Sequence, residues 1–230
     1  MKAIHLLLVM ALSSVVSGCT KKEELPECLG SCTIVAGRLL TSGSAALANT
    51  PVVLEWHGRF NGLNSKVRKK AVGTTDANGY YRISAFLADD ELTDGYLSVV
   101  FQANPSRYYL IGEPNVAFFD YKRDTLLTAY DYIIPRKAFI RFEVTNPSQI
   151  PGPYSYHADL NSCHGGNTVF SSSIRGGGVV VNCSGLSTTP IETAGDQPIL
   201  VRQRKNGSYV APNDTIFIPA GTTLTYRLTY

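Results

Sequence analysis

Apolar and polar residues alternate along much of this chain with a period of two, the signature of strands buried on one face. The pattern is clean after residue 79, where Tyr81, Ile83 and Ala85 fall on one side and Tyr80, Arg82 and Ser84 on the other. It returns in RKAFIRFEV (136–144), with Ala138, Ile140, Phe142 and Val144 on a common face. Further strands are predicted at 33–40 (TIVAGRLL), 51–56 (PVVLEW), 96–103, 125–134, 168–174, 178–183, 197–205, 214–219 and 223–230. The first stretch is of another kind: Ile4 to Val16 is almost continuously apolar, and at 13 residues it is shorter than the roughly 20 that a spanning helix needs.

Turn chemistry separates these segments. Asp76-Ala77-Asn78-Gly79 is a strong turn, because Asp and Asn side chains bond nearby backbone and Gly accepts positive φ. Pro135 interrupts the chain between two groups of strands. The fold class predicted is therefore all-β, with two antiparallel β-sandwich domains in tandem, over 33–135 and 136–230. Composition agrees: 13 Tyr, 9 Phe, 20 Gly and 12 Pro favour strands joined by turns. Of the 21 basic residues only Lys2 precedes residue 19, leaving 20 against 18 acidic ones. That balance argues against nucleic acid as a partner, which calls for a basic face.

Lys2, the apolar run and Val16-Ser17-Gly18-Cys19 resemble a bacterial lipoprotein leader ending in a lipobox. The resemblance implies a signal peptide at 1–18, removal of it before Cys19, lipid on the Cys19 thiol, and a lipidated tether over 19–32. Two or three acyl chains hold a protein durably to a membrane, which becomes the first predicted partner. Lys21-Lys22-Glu23-Glu24 is similar to the lipoprotein surface-export signal of Bacteroidetes, which implies an outer-membrane protein displayed at the cell surface. A plain charged tether is the alternative.

Gly37 in a strand, then Pro51-Val52-Val53-Leu54, then Thr75-Asp76-Ala77-Asn78-Gly79-Tyr80-Tyr81 resembles the carboxypeptidase regulatory-like, or transthyretin-like, β-sandwich over about 33–135. The family's usual Gly-Ala before the second strand is Ala48-Asn49-Thr50 here. Such modules serve as structural or binding units, so the resemblance implies a non-enzymatic lipoprotein with a glycan or an envelope protein as ligand.

Candidate chemistry is sparse. Besides Cys19 there are four cysteines, and their spacing suggests disulfides Cys28–Cys32 and Cys163–Cys183. The second would close a loop of about 20 residues, for roughly 3 kcal/mol. His157, Cys163, His164 and Cys183 match no standard zinc spacing, and no metal or cofactor is predicted. Asp89-Asp90-Glu91 with Asp94 reads as an acidic turn, lacking calcium-loop spacing. Lys66, Lys69 and Lys70 sit in what reads as a loop and are not assigned to an isopeptide crosslink. No nucleophile elbow, phosphate loop or metalloprotease helix occurs. An envelope hydrolase is the alternative function and would need His157, Asp159 and His164 to converge. Tyr154 and Tyr156, beside a Pro-rich loop, are the aromatics most suited to contacting a ligand. Asp124-Thr125-Leu126 and Asp214-Thr215-Ile216 resemble a Bacteroidetes O-glycosylation pattern, which implies sugar on Thr125 and Thr215.

Overall fold

In the computed structural model the described residues are 25, 28–58, 66–166, 177–184 and 189–230. The leader, Cys19, the Lys-Glu-Glu segment and the strand predicted at 168–174 lie outside them. The strands are β1 (Thr33–Leu40), β2 (Pro51–His57), β3 (Val67–Thr74), β4 (Tyr80–Ala85), β5 (Tyr96–Phe101), β6 (Asn115–Phe118), β7 (Leu126–Thr128), β8 (Tyr132–Ile133), β9 (Arg136–Val144), β10 (Tyr156–Ser162), β11 (Gly177–Asn182), β12 (Ile191–Gly195), β13 (Pro198–Lys205), β14 (Ser208–Phe217) and β15 (Thr223–Leu228). A short α-helix, α1 (Asp89–Thr93), precedes β5.

Four sheets pair into two layers twice. In the first sandwich, β4-β1-β7, with β8 also on β1, faces β3-β2-β5-β6. Its core joins Val35, Leu39, Tyr81 and Ile83 from one sheet to Leu54, Trp56, Leu97, Val99 and Phe101 from the other. In the second, β12-β9-β15 faces β11-β10-β13-β14 around Ile140, Phe142, Tyr156, Leu160, Ile199, Val201 and Leu228. The alternation expected in β4 is present, with Tyr81, Ile83 and Ala85 inside and their neighbours exposed. The fold is all-β and largely antiparallel, with two exceptions: β7 and β8 run parallel to β1, and β15 runs parallel to β9.

The Asp76–Gly79 turn joins β3 in one sheet to β4 in the other, so it is a corner across the sandwich. The Asp76 carboxylate accepts the amides of Asn78 at 2.8 Å and Tyr80 at 2.9 Å, closing the turn as its sequence requires. Elsewhere the structure differs from expectation. The single strand expected over 125–134 is two short ones, β7 and β8. The acidic segment expected as a turn forms α1, and Glu91 within it is fully buried. Lys70, expected in a loop, lies in β3 with its ammonium buried against Glu91. Strand β14 is a sheet edge, and opposite Arg202 of β13 it carries three residues, 211–213, where the ladder expects one. A bulge and a proline (Pro212) on an edge strand protect it from pairing with another chain.

Candidate functional site

The two sandwiches meet through direct backbone and side-chain bonds. The Ser42 hydroxyl donates to the Gly195 carbonyl at 2.6 Å and accepts the Arg136 amide at 2.9 Å. Ile133 and Gly165 exchange a pair of backbone bonds. His164 is buried here, edge-on to the rings of Tyr109 and Tyr132. Burial lowers its pKa, and its Nε2 has no hydrogen-bond partner.

Beside this contact lies an open cleft of about 220 Å³, lined by the turn 106–108, by Arg136, Lys137 and Phe139 of β9, and by Ala220 and Gly221. The geometry follows from strand alternation. Ala138 points into the second core, which turns Lys137 and Phe139 outward into the cleft. The Lys137 amide donates to Arg107 at 2.9 Å, which holds the 106–108 turn against β9. Arg136 pairs with Asp196 at 2.8 Å, and Lys137 pairs with Glu192 at 2.7 Å. Asp196 is itself fixed by the Ala220 amide at 2.8 Å. Among the described residues no carboxylate pairs with Arg107, whose guanidinium lies 6.0 Å from the Tyr108 ring. Arg107, without a carboxylate partner among the described residues, therefore lines the same cleft as the aromatic side chains of Tyr108 and Phe139. The cleft can hold an acidic group against an apolar wall.

The residues singled out from sequence are placed unevenly. Cys28 and Cys32 form the expected disulfide. Beside it the Ser31 hydroxyl donates to the Asp124 carboxylate, tying the incoming chain to the end of the first sandwich. Cys163 and Cys183 are not bridged to each other, a correction that the register explains. In the antiparallel pair β10–β11, Ser162 stands opposite Gly177 and His157 opposite Asn182. Cys163 thus follows one end of β10, while the Cys183 amide binds the Tyr156 carbonyl at the other. At about 3.3 Å per residue, β10 keeps them on the order of 20 Å apart, and a disulfide needs Cα atoms within about 7 Å. The same strand separates His157 and Asp159 from His164, so the constellation an envelope hydrolase would need is not assembled.

Tyr154 is 73% exposed and stays a contact candidate. Tyr156 does not: it is the first inward residue of β10, fully buried, with its hydroxyl donating to Gln203 at 2.6 Å. Burial pushes its pKa up to about 12. The Thr125 hydroxyl donates to the Lys122 carbonyl at 2.7 Å, and Thr215 is exposed on β14. Among the described residues no three His, Cys, Asp or Glu side chains come together as metal ligands. His57 gains the partner that the sequence did not reveal, with Nε2 3.0 Å from Glu55 and the ring stacked on Tyr96 at 4.9 Å. Sequence reasoning missed Arg107 and Phe139. The only signal near them was the break at Pro135 followed by the Arg136-Lys137 pair.

No family model matches the chain, and no curated protein matches it. Solved structures that match include the Bacillus anthracis TIE protein, 11% identical over 86% of this chain and 34% of that one, with a TM-score of 0.32. The chain thus spans about a third of that protein. A streptococcal ancillary pilin is 13% identical over 86% of this chain and 62% of its own, with a TM-score of 0.31. The shaft pilin SpaA of Lactobacillus rhamnosus GG is 8% identical over 86% of this chain and 97% of its own, with a TM-score of 0.30.

Proposed function

We propose that this chain is a lipid-anchored, non-enzymatic lipoprotein of the bacterial outer membrane. In this reading its two sandwiches, the first of the carboxypeptidase regulatory-like kind, bind an acidic glycan or envelope protein at the cell surface. The observation that carries the binding half is the junction cleft, where Arg107, without a carboxylate partner among the described residues, lines the wall together with Tyr108 and Phe139. A cleft between two modules is a favoured place for a ligand, because both contribute walls and neither must deform. The anchor half rests on the leader-like sequence ending in Cys19. Lipid would confine the protein to a plane, so that many weak contacts add by avidity.

The experiment uses cells producing the full chain with a C-terminal tag, exposed to beads coated with polyuronate or polyglutamate. Retention of wild-type cells, lowered on Arg107→Glu, supports the reading. Equal retention of both, or of neither, overturns the cleft. Protease removes the tag from intact cells if the protein is displayed outward, and protection until lysis overturns the surface assignment. Cys19→Ala releases the protein from the membrane fraction, and retention of that variant would overturn the anchor.

A further inference from the structure

We infer that the outer face of the second sandwich carries a separate oxyanion site, built on Arg202, Arg204 and Tyr209, that takes the carboxylate or sulfate of an acidic glycan. On this face Arg202 stands directly across from Asp159 of β10, and Arg204 stands across from His157 and, on the other side, Tyr209 of β14. The one carboxylate in the cluster gives its hydrogen bonds to other neighbours and keeps only a long ion pair with Arg202. Asp159 accepts Arg204 Nε at 3.2 Å and the Tyr209 hydroxyl at 2.7 Å. Its facing cross-strand residue, Arg202, is left 3.9 Å away, beyond hydrogen-bond reach. Arg202 Nε is sealed from water without any hydrogen-bond partner. Two guanidinium groups and one carboxylate leave one positive charge. The Arg202 and Arg204 guanidiniums lie 4.6 Å and 5.7 Å from the Tyr209 ring, which holds them side by side.

The break in the ladder explains why Arg202 is available. It faces the three-residue excursion 211–213 of β14, so no residue of that strand is paired with it in the ladder. Bulges re-aim side chains in this way beside binding sites. An incoming oxyanion would accept from the terminal nitrogens of Arg202 and from the outward edge of Arg204, with Asp159 fixing the second guanidinium from behind. Recognition through side chains alone favours a glycan over a peptide. A peptide would claim backbone bonds at a sheet edge, and at β14 that edge is interrupted by the excursion and by Pro212.

The test is titration calorimetry of the full chain in the Arg107→Glu background, so the junction cleft does not contribute and the two readings fail separately. The probes are a uronate hexasaccharide, a sulfated hexasaccharide, a neutral hexasaccharide and a Glu-rich peptide. We expect one or both acidic sugars to bind, the neutral sugar not to bind, and Arg202→Gln to weaken binding at least tenfold. Arg202→Lys, which keeps the charge but not the planar fork, should lose most of the affinity while melting like its parent. Which sugar binds tells carboxylate from sulfate. Binding unchanged in both Arg202 variants, loss of binding equally with added sodium chloride of matched ionic strength and with free sulfate, or preference for the peptide overturns the site.

Discussion

The Lys70 ammonium lies 2.9 Å and 2.7 Å from the two carboxylate oxygens of Glu91, and both side chains are buried. Arg68 adds a third bond to Glu91 at 2.9 Å and a second salt bridge to Asp90 at 2.7 Å. The Glu91 carboxylate also accepts the Ala88 amide at 2.9 Å, while Tyr121 donates its hydroxyl to the Glu91 carbonyl. A five-residue helix is too short to be stable alone. This ion cluster is what docks α1 on the sheet.

Breaking the pair should therefore cost more than deleting it. Glu91→Gln leaves the buried Lys70 ammonium without its anion, for a loss of about 3–5 kcal/mol, and Lys70→Met, which leaves Arg68 on Glu91, should lose less. Lys70→Met with Glu91→Leu should cost well under the sum, as urea denaturation of the four proteins will show. Burial alone would raise the Glu91 carboxyl, but the bonds from Lys70, Arg68 and the Ala88 amide outweigh it and hold the value below the ordinary 4.5. The unfolded chain therefore takes up this proton first as pH falls. The stabilisation is complete above pH 4.5 and is lost as pH falls through the lower folded value. Glu91→Gln should flatten that acid limb. A slope unchanged in the variant would remove Glu91 as its source.

Gly79 closes the corner between the sheets at φ +79°, and a Cβ there would run into the Leu39 carbonyl oxygen. The obstacle is backbone and cannot swing aside. Gly79→Ala should lose about 1–3 kcal/mol from the strained conformation alone, with more from the clash. A melting temperature equal to wild type would contradict this. Gly112, also at positive φ but with open space around it, is the control and should lose less.

That corner was legible in the sequence because its chemistry is local: one Asp, one Asn and one Gly within four residues. The alternation of β4 and β9 was legible for the same reason. Lys70 and Glu91 were not, because they stand 21 residues apart and each reads as a solvated charge until the topology joins them. In β10 the outward residues His157, Asp159 and Asn161 are polar enough to hide the inward set Tyr156, Ala158 and Leu160, so Tyr156 read as a loop aromatic. The Cys163–Cys183 pairing was argued from spacing, whereas strand register decides which positions meet. The junction cleft draws on segments from both sandwiches, and no window of sequence contains it.

Cys183 provides a chemical check on that register. It lies in the second core, 2% exposed, and burial pushes its thiol up to about 12. The native protein should therefore leave Cys183 unmodified by iodoacetamide at pH 8, since the thiolate is the nucleophile. Unfolding in urea without reductant should expose it to full alkylation, while Cys28 and Cys32 stay linked. Recovery of a Cys163–Cys183 peptide by mass spectrometry would refute the register of β10 and β11.

His164 makes the junction sensitive to mild acid. Its ring is buried between Tyr109 and Tyr132, and its Nε2 has no acceptor to share a proton with. Burial depresses its pKa below the ordinary 6.5, so the folded protein keeps the ring neutral at a pH where the unfolded chain protonates it. Between the two values the unfolded state holds the extra proton, and stability rises with pH there. The contribution is complete above pH 6.5 and is lost as pH falls through the folded value, a window distinct from that of Glu91. His164→Phe keeps an aromatic ring in the same space and removes both the titration and the orphaned nitrogen. We expect the urea midpoint of wild type to drop between pH 7.5 and 5.5 and that of His164→Phe to drop less. Parallel declines in the two proteins would show that the junction does not sense this proton.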